Sequence, residues 1–187
     1  MSSPDYAKPI RSARTLSRRI ALATALLAAS FAGGCFQPLY SEATLSPQTG
    51  GSVRSAFKSV EIPEIKGQIG HFLRNELVFE LDGGGAPDAA KRLRFDASIA
   101  ESIDVVTVDY LNARADSAVL VVTATWSLRD KASSKTVSSG VNTIRIPYER
   151  SSQRFATVRA ARDAQVRAAK SLATIIRGQM AADLVTG

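Results

Sequence analysis

The stretch from Ala118 to Leu128 alternates without a break. Ala118, Leu120, Val122, Ala124, Trp126 and Leu128 point one way, and Val119, Val121, Thr123, Thr125 and Ser127 point the other. Side chains in a strand repeat every two residues, so the pattern demands a strand with one apolar face. Residues 92–109 behave alike: Leu93, Phe95, Ala97, Ile99, Ile103 and Val105 share one face, and Arg94, Asp96, Ser98 and Ser102 the other. One wet face is the mark of an antiparallel sheet. Between them, Tyr110 to Asp116 reads as a polar turn holding Asn112, Arg114 and Asp116. Residues 129–135, RDKASSK, make a basic hairpin tip with Lys131 and Lys135. Residues 136–147 return as a strand through Val137, Val141, Ile144 and Ile146. The change of parity near Asn142 predicts a bulge, and Pro147 is expected to end the strand.

Two segments carry the helical period instead. Ile65, Ile69, Leu73, Leu77 and Leu81 recur every four residues after Gly67, with Phe72 beside them. Asp82-Gly83-Gly84-Gly85 stops this helix, since glycine tolerates a left-handed cap. From Phe155 to Leu184 the chain is alanine-rich, with Leu172, Ile176, Met180 and Leu184 at four-residue spacing and Ile175 adjacent. Ser151 or Ser152 can cap it. Arg159, Arg162, Arg167, Lys170 and Arg177 spread over its polar side, as on a solvated face. Ahead of the first helix, residues 57–65, FKSVEIPEI, read as a first strand ended by Pro63. The order is β-α-β-β-β-α. It predicts an α+β fold, a two-layer sandwich in which a mixed or antiparallel sheet of about four strands packs on two helices.

Residues 1–34 read as a targeting segment. Arg18 and Arg19 form a cationic start, and Ile20 to Ala32 is uncharged. That run spans about 20 Å as a helix, short of the ~20 apolar residues a spanning helix needs, so it reads as a signal peptide. The chain's net charge is +7, with 24 basic and 17 acidic residues. Removing residues 1–34 takes away five bases and one acid, and leaves 19 against 16, a net of +3. The basic excess therefore belongs mostly to the leader, and nucleic acid is not an expected partner.

Ala32-Gly33-Gly34 precede Cys35, the chain's one cysteine. This resembles a bacterial lipobox, in which the thiol is acylated, the peptide is cut before the cysteine and the new amino group is acylated. Ala32 stands where leucine is commonest in such signals. One acyl chain holds only marginally and two or three hold durably, so the resemblance implies a folded domain tethered to a membrane at Cys35. Phe36 follows, where aspartate would favour inner-membrane retention in enteric bacteria, so the analogy implies the outer membrane. SRRIAL, residues 17–22, is similar to a twin-arginine signal but lacks its usual phenylalanine, and both export routes stay open. Residues 41–56 are rich in Ser, Thr, Gly and Pro and read as a tether.

Little in the chain suggests catalysis. One cysteine forms no internal disulfide, and the single histidine, His71, builds no His-rich zinc site. His71 lies between Gly70 and Phe72 with no orienting acid or nucleophile in a local motif. The triple glycine follows a helix and precedes no Gly-Lys-Ser/Thr, unlike a phosphate loop. No Gly-x-Ser-x-Gly occurs, and the spacing of Asp104 and Asp109 has no special meaning. No cofactor, metal or catalytic residue is expected, though a hydrolase remains an alternative of a different class.

After the lipobox stand Cys35, Gln37, Pro38, Leu39 and Tyr40. With the order of elements behind it, this Cys-x-x-Pro-Leu-Tyr start resembles the lipopolysaccharide-assembly lipoprotein family, LptE, of the alphaproteobacterial type, across 35–187. The resemblance implies an outer-membrane lipoprotein that sits in the lumen of the LptD β-barrel, helps assemble it and assists lipopolysaccharide transport. It divides the chain into a signal peptide (1–34), a lipidated N-terminus and tether (35–56) and the folded domain (57–187). Arg114, Lys131 and Lys135, at expected tips, become candidates for contact with lipopolysaccharide phosphates or with the barrel. An auxiliary lipoprotein adaptor of another lipid transport system is the alternative, separated by which complex copurifies.

Overall fold

The computed structural model describes residues 44–47, 49–83, 90–109, 114–150 and 152–186; the side chains of 106–109 and 114–116 fall outside that description. The leader, Cys35, the Pro38-Leu39-Tyr40 segment, Gly84, Gly85, Tyr110 to Ala113 and Ser151 lie outside the described residues. The chain divides into Met1–Pro38 and Leu39–Gly187, and every described residue belongs to the second unit.

In chain order the elements are β1 (Leu45–Ser46), β2 (Gly51–Ser52), α1 (Val53–Lys58), β3 (Val60–Glu61), α2 (Gln68–Asp82), β4 (Leu93–Asp109), β5 (Arg114–Asp130), β6 (Thr136–Glu149) and α3 (Arg154–Thr186). A mixed sheet runs β3-β4-β5-β6, with β3 parallel to β4 and the remaining pairs antiparallel. β1 and β2 form a separate antiparallel pair. The fold is α+β, as expected.

The alternation of β5 decides which way the sheet faces. Leu120, Val122, Ala124, Trp126 and Leu128 are buried, along with Leu93 and Phe95 on β4. Against them lies α3, whose Leu172, Ile176, Met180 and Leu184 are wholly buried, as are Ala164, Ala168, Ala169, Ala173 and Ala181. The alanines let the helix backbone approach the sheet, and the larger residues fill the gaps between strands. α2 adds Ile69, Leu73, Leu77 and Leu81 to the same core. Phe95 stacks on Trp126 at 5.9 Å between centroids, and Trp126 Nε1 donates to Asn142 Oδ1 at 2.8 Å. Two polar links fix α3 along β6. Ser138 Oγ donates to Asp183 Oδ2 at 2.5 Å, and Arg167 Nη2 donates to Pro147 O at 3.3 Å. The helix therefore runs antiparallel to β6, with its first turns beyond the strand's end.

Several expectations change. The first strand shrinks to Val60–Glu61, because residues 53–58 form a helix. Ser52 caps it by accepting from Ser55 N, and Val53, Ala56 and Phe57 are buried at helical spacing. The tether reading thus gives way over 45–56 to a short hairpin and part of this helix. β6 holds one register from Ser138 to Glu149, with no bulge at Asn142. The irregularity lies opposite Leu128/Arg129, near Val137, and Val141 is 65% exposed on the outer face. Pro147 does not end the strand; β6 is an edge, where a missing N–H is tolerated. α3's first intrahelical bond runs from Thr157 N to Gln153 O at 3.2 Å, which puts the cap position at Gln153. As predicted, Gly83 closes α2 in the left-handed region, at φ 62°. Among the described residues no helix is long and apolar enough to cross a membrane.

Gly70 sits inside α2, where glycine costs about 1 kcal/mol relative to alanine. A Cβ there would stand 2.6 Å from Ile65 O and 2.8 Å from Ile65 Cγ2. Close approach therefore outweighs propensity. We expect Gly70→Ala to destabilise the domain by about 1–3 kcal/mol in urea unfolding, and a stabilised variant would refute this packing account.

Candidate functional surface

The expected tip cations do not form one site. Arg114 opens β5 and Lys131 follows its last residue. A 17-residue strand is about 50 Å long, so they lie at opposite ends of the sheet. Arg114's side chain is outside the described residues. Lys131 is bound to Glu61 in an ion pair. Lys135 is exposed at the β5–β6 tip.

Lys131 belongs to a network on the sheet's outer face. Arg94 reaches Glu61 at 4.0 Å and Asp96 at 3.1 Å, and Arg129 Nη2 meets Asp96 at 2.6 Å. Arg92 meets Asp130 at 3.3 Å, and its Nη1 donates to Thr49 O at 2.8 Å. Asp130 Oδ1 accepts from Ala132 N and Ser133 N, each at 2.9 Å, which holds the hairpin tip. These contacts set the carboxylates. The hydrogen bond from Lys131, then its charge, holds Glu61 below the usual range. Burial pushes Asp96 up, but hydrogen bonds from Arg129 and Arg94 outweigh it and the result is lowered. Asp130 is lowered chiefly by the Ser133 backbone N–H. The cations at this end are largely neutralised by their neighbours.

The opposite end differs. Burial fades along β4's inner face: Phe95 is buried, Ala97 and Ile99 partly so, Ile103 is 57% exposed and Val105 49%. A cleft of about 340 Å³ opens there, with Ile103, Leu120 and Tyr148 on the sheet side and Ala161 and Gln165 on α3. Val158, 59% exposed, continues that helix face one turn outward. Phe155 beside it is 86% exposed. Residues 150–162 hold four arginines and no acid. Among the described residues none of Arg150, Arg154, Arg159 and Arg162 has an ion-pair partner. Arg162 lies over the Phe72 ring, 5.6 Å from its centroid. On sequence Arg159 and Arg162 belong to an expected solvated face; the acid-free run from Arg150 to Arg162 is the signal that singles them out.

The remaining candidates are placed simply. His71 is exposed, with Nε2 3.2 Å from Asn75 Nδ2. Asp104 pairs with Arg145 at 2.7 Å. Among the described residues no three His, Cys, Asp or Glu gather as metal ligands would.

The network yields a pH prediction. A carboxylate with a lowered folded pKa contributes stability above its ordinary pKa and loses it as pH falls through the folded value. Melting temperature should therefore drop between about pH 5 and pH 2. Asp96→Asn should flatten part of that drop and cost about 0–1 kcal/mol near neutrality. An unchanged acid profile for this variant would remove Asp96 from the account.

The model of the LptE family, described as lipopolysaccharide-assembly, matches residues 57–180, well over half of the chain. A lipoprotein of Caulobacter crescentus CB15 is similar at 26% identity, covering 71% of this chain and 95% of its own, with a TM-score of 0.53. A minor lipoprotein of Acinetobacter baumannii shares the fold at 13% identity, covering 68% of this chain and 92% of its own, with a TM-score of 0.51. The rare lipoprotein B of Shewanella oneidensis also matches, at 13% identity over 66% and 92%, with a TM-score of 0.48. No curated protein matches. The matched span runs from the end of α1 to within the last two turns of α3, and the chain belongs to the LptE family of lipopolysaccharide-assembly proteins.

Proposed function

We propose that this protein is an outer-membrane lipoprotein, anchored through acylated Cys35, that plugs the LptD barrel and helps assemble it. In that place it assists lipopolysaccharide transport to the outer leaflet. The observation that carries the reading is the family match across the β3-to-α3 architecture.

The outer sheet face supports it. Among the described residues no helix packs there, and hydroxylated residues are prominent on it, Ser98, Ser102, Thr123, Thr125, Ser127 and Thr143, beside Val119, Val121 and Val141. Thr123 and Thr143 join across strands at 2.9 Å. Charges gather at its two ends and are paired, through Asp96–Arg129 and Asp104–Arg145. A face on which hydroxyls and paired charges interleave with Val119, Val121 and Val141 suits the polar interior of a barrel. Arg114, Lys131 and Lys135 remain proposed contacts for the barrel or glycolipid, now as two separate ends rather than one site.

The test is recovery from native membranes in mild detergent, with intact-mass analysis. We expect a chain beginning at acylated Cys35, copurifying with a large β-barrel. Cys35→Ser should release the domain from the membrane with its melting temperature unchanged, since Cys35 precedes every element of the core. Recovery of an unprocessed, unacylated chain, or of an inner-membrane ATPase complex in place of the barrel, would overturn the reading.

A further inference from the structure

The outer half of β4 is paired on one side only. Leu93 N donates to Ser59 O, toward β3, at 3.1 Å. Backbone groups in a strand alternate in direction with the two-residue period, so the N–H and C=O groups of Ile99, Glu101 and Ile103 point toward that same edge. β3 reaches no further than Leu93 and Arg94, and residues 100–105 are all exposed. Among the described residues nothing pairs with this stretch from the β3 side. An edge whose hydrogen-bonding groups stay in water is a template for an added strand.

Glu101 sets the chemistry of that strand. It is the one charged residue on the inner, apolar side of β4, between Ile99 and Ile103 and opposite Val122 of β5. With Ile103, Leu120 and Ala161 it lines the cleft of about 340 Å³. Among the described residues no ion pair reaches it. The arginines of α3 do not fill that role. Arg162 is turned about 100° from Ala161 around the helix and lies over Phe72. Arg159 is turned about 160° away, and Arg154, on Ala161's side, stands about 10 Å further out along the axis, about a Debye length. A carboxylate among apolar neighbours is unfavourable to cover alone and favourable to cover with a cation. We infer that the open edge of β4, from Ile99 to Val105, takes an extended segment of a partner protein as an added strand, with a lysine or arginine opposite Glu101 and apolar side chains opposite Ile99 and Ile103. Main-chain bonds supply the affinity of such a strand, and its alternate side chains the specificity. The methylenes of a long basic side chain lie along Ile103 and Leu120 while its cation meets Glu101. A second copy does not fit, since two β4 edges paired antiparallel about Glu101 set their carboxylates opposite each other. The inference goes beyond the barrel reading and holds for any partner that presents such a strand.

The test uses the full chain in neutral detergent micelles and a labelled, capped peptide, Thr-Val-Thr-Lys-Thr-Val-Thr, with a comparator carrying glutamate in place of its lysine. Fluorescence anisotropy should show the lysine peptide binding about tenfold more tightly than the glutamate peptide. Its binding should slow amide hydrogen exchange over residues 99–105. The same peptide N-methylated at its lysine and both valines loses the donors that face the edge and should not bind. Glu101→Gln should weaken binding of the lysine peptide about fivefold, and Glu101→Lys should reverse the preference between the two peptides. Asp104→Asn, on the outer face and paired with Arg145, should leave that preference unchanged. Should Glu101→Lys fail to fold, Glu101→Gln decides. No binding of the lysine peptide, equal binding of the two peptides, or a preference that survives the changes at Glu101 overturns the inference. So does protection of residues 99–105 that rises with protein concentration in the absence of peptide, the mark of a second copy on this edge. The assay contains no barrel, so its failure ends this inference alone, and loss of the barrel from wild type in native membranes ends the functional reading.

Discussion

One interface holds the domain together: the apolar face of β4–β5–β6 against α3. Leu172, Ile176, Met180 and Leu184 recur once per turn and are wholly removed from water, as are Leu93, Phe95, Val122, Ala124 and Leu128 opposite. Burying one such side chain contributes about 1.5–3 kcal/mol relative to exposure, so this ladder outweighs any single polar contact in the molecule. α2 adds a second row beside it, and α1 closes one end with Val53, Ala56 and Phe57. The polar links, Ser138 with Asp183 and Arg177 with Glu80 at 2.5 Å, set register more than they add stability.

That one-sided core has a structural consequence. With α2 and α3 on one face, no described element covers the other face of the sheet. Both edges are also open among the described residues, since β3 pairs with β4 only at Leu93 and Arg94. Edges of this kind invite pairing unless guarded. Here the guards are visible: Asp96, Glu101 and Asp104 on β4 with register shifts near Thr107, and Arg145 and Pro147 on β6.

Charge is distributed to match. At the β5–β6 end, Arg92, Arg94, Arg129 and Lys131 interlock with Glu61, Asp96 and Asp130, while Lys135 has no ion pair among the described residues. At the start of α3, arginines accumulate without acids beside uncovered Val158 and Ile103. The same mild basic excess thus has two physical meanings, decided by neighbours and not by count.

Much of the architecture was legible because periodicity is local. The two-residue repeat of 118–128 and the four-residue repeats of 65–81 and 172–184 each need only one chain segment to be read. Gly83 was legible as a cap for the same reason. The short helix at 53–58 was not, since its six residues are stabilised by burial against α2 and α3 rather than by a long pattern. Val141 looked like a core residue, yet cross-strand pairing turned it outward. What the sequence by itself determined is the type and order of the long elements. What only the tertiary structure decided is which charges are cancelled and which apolar residues stay uncovered. Those depend on groups far apart in the chain, such as Glu61 with Lys131, and on helices of unequal length over one sheet.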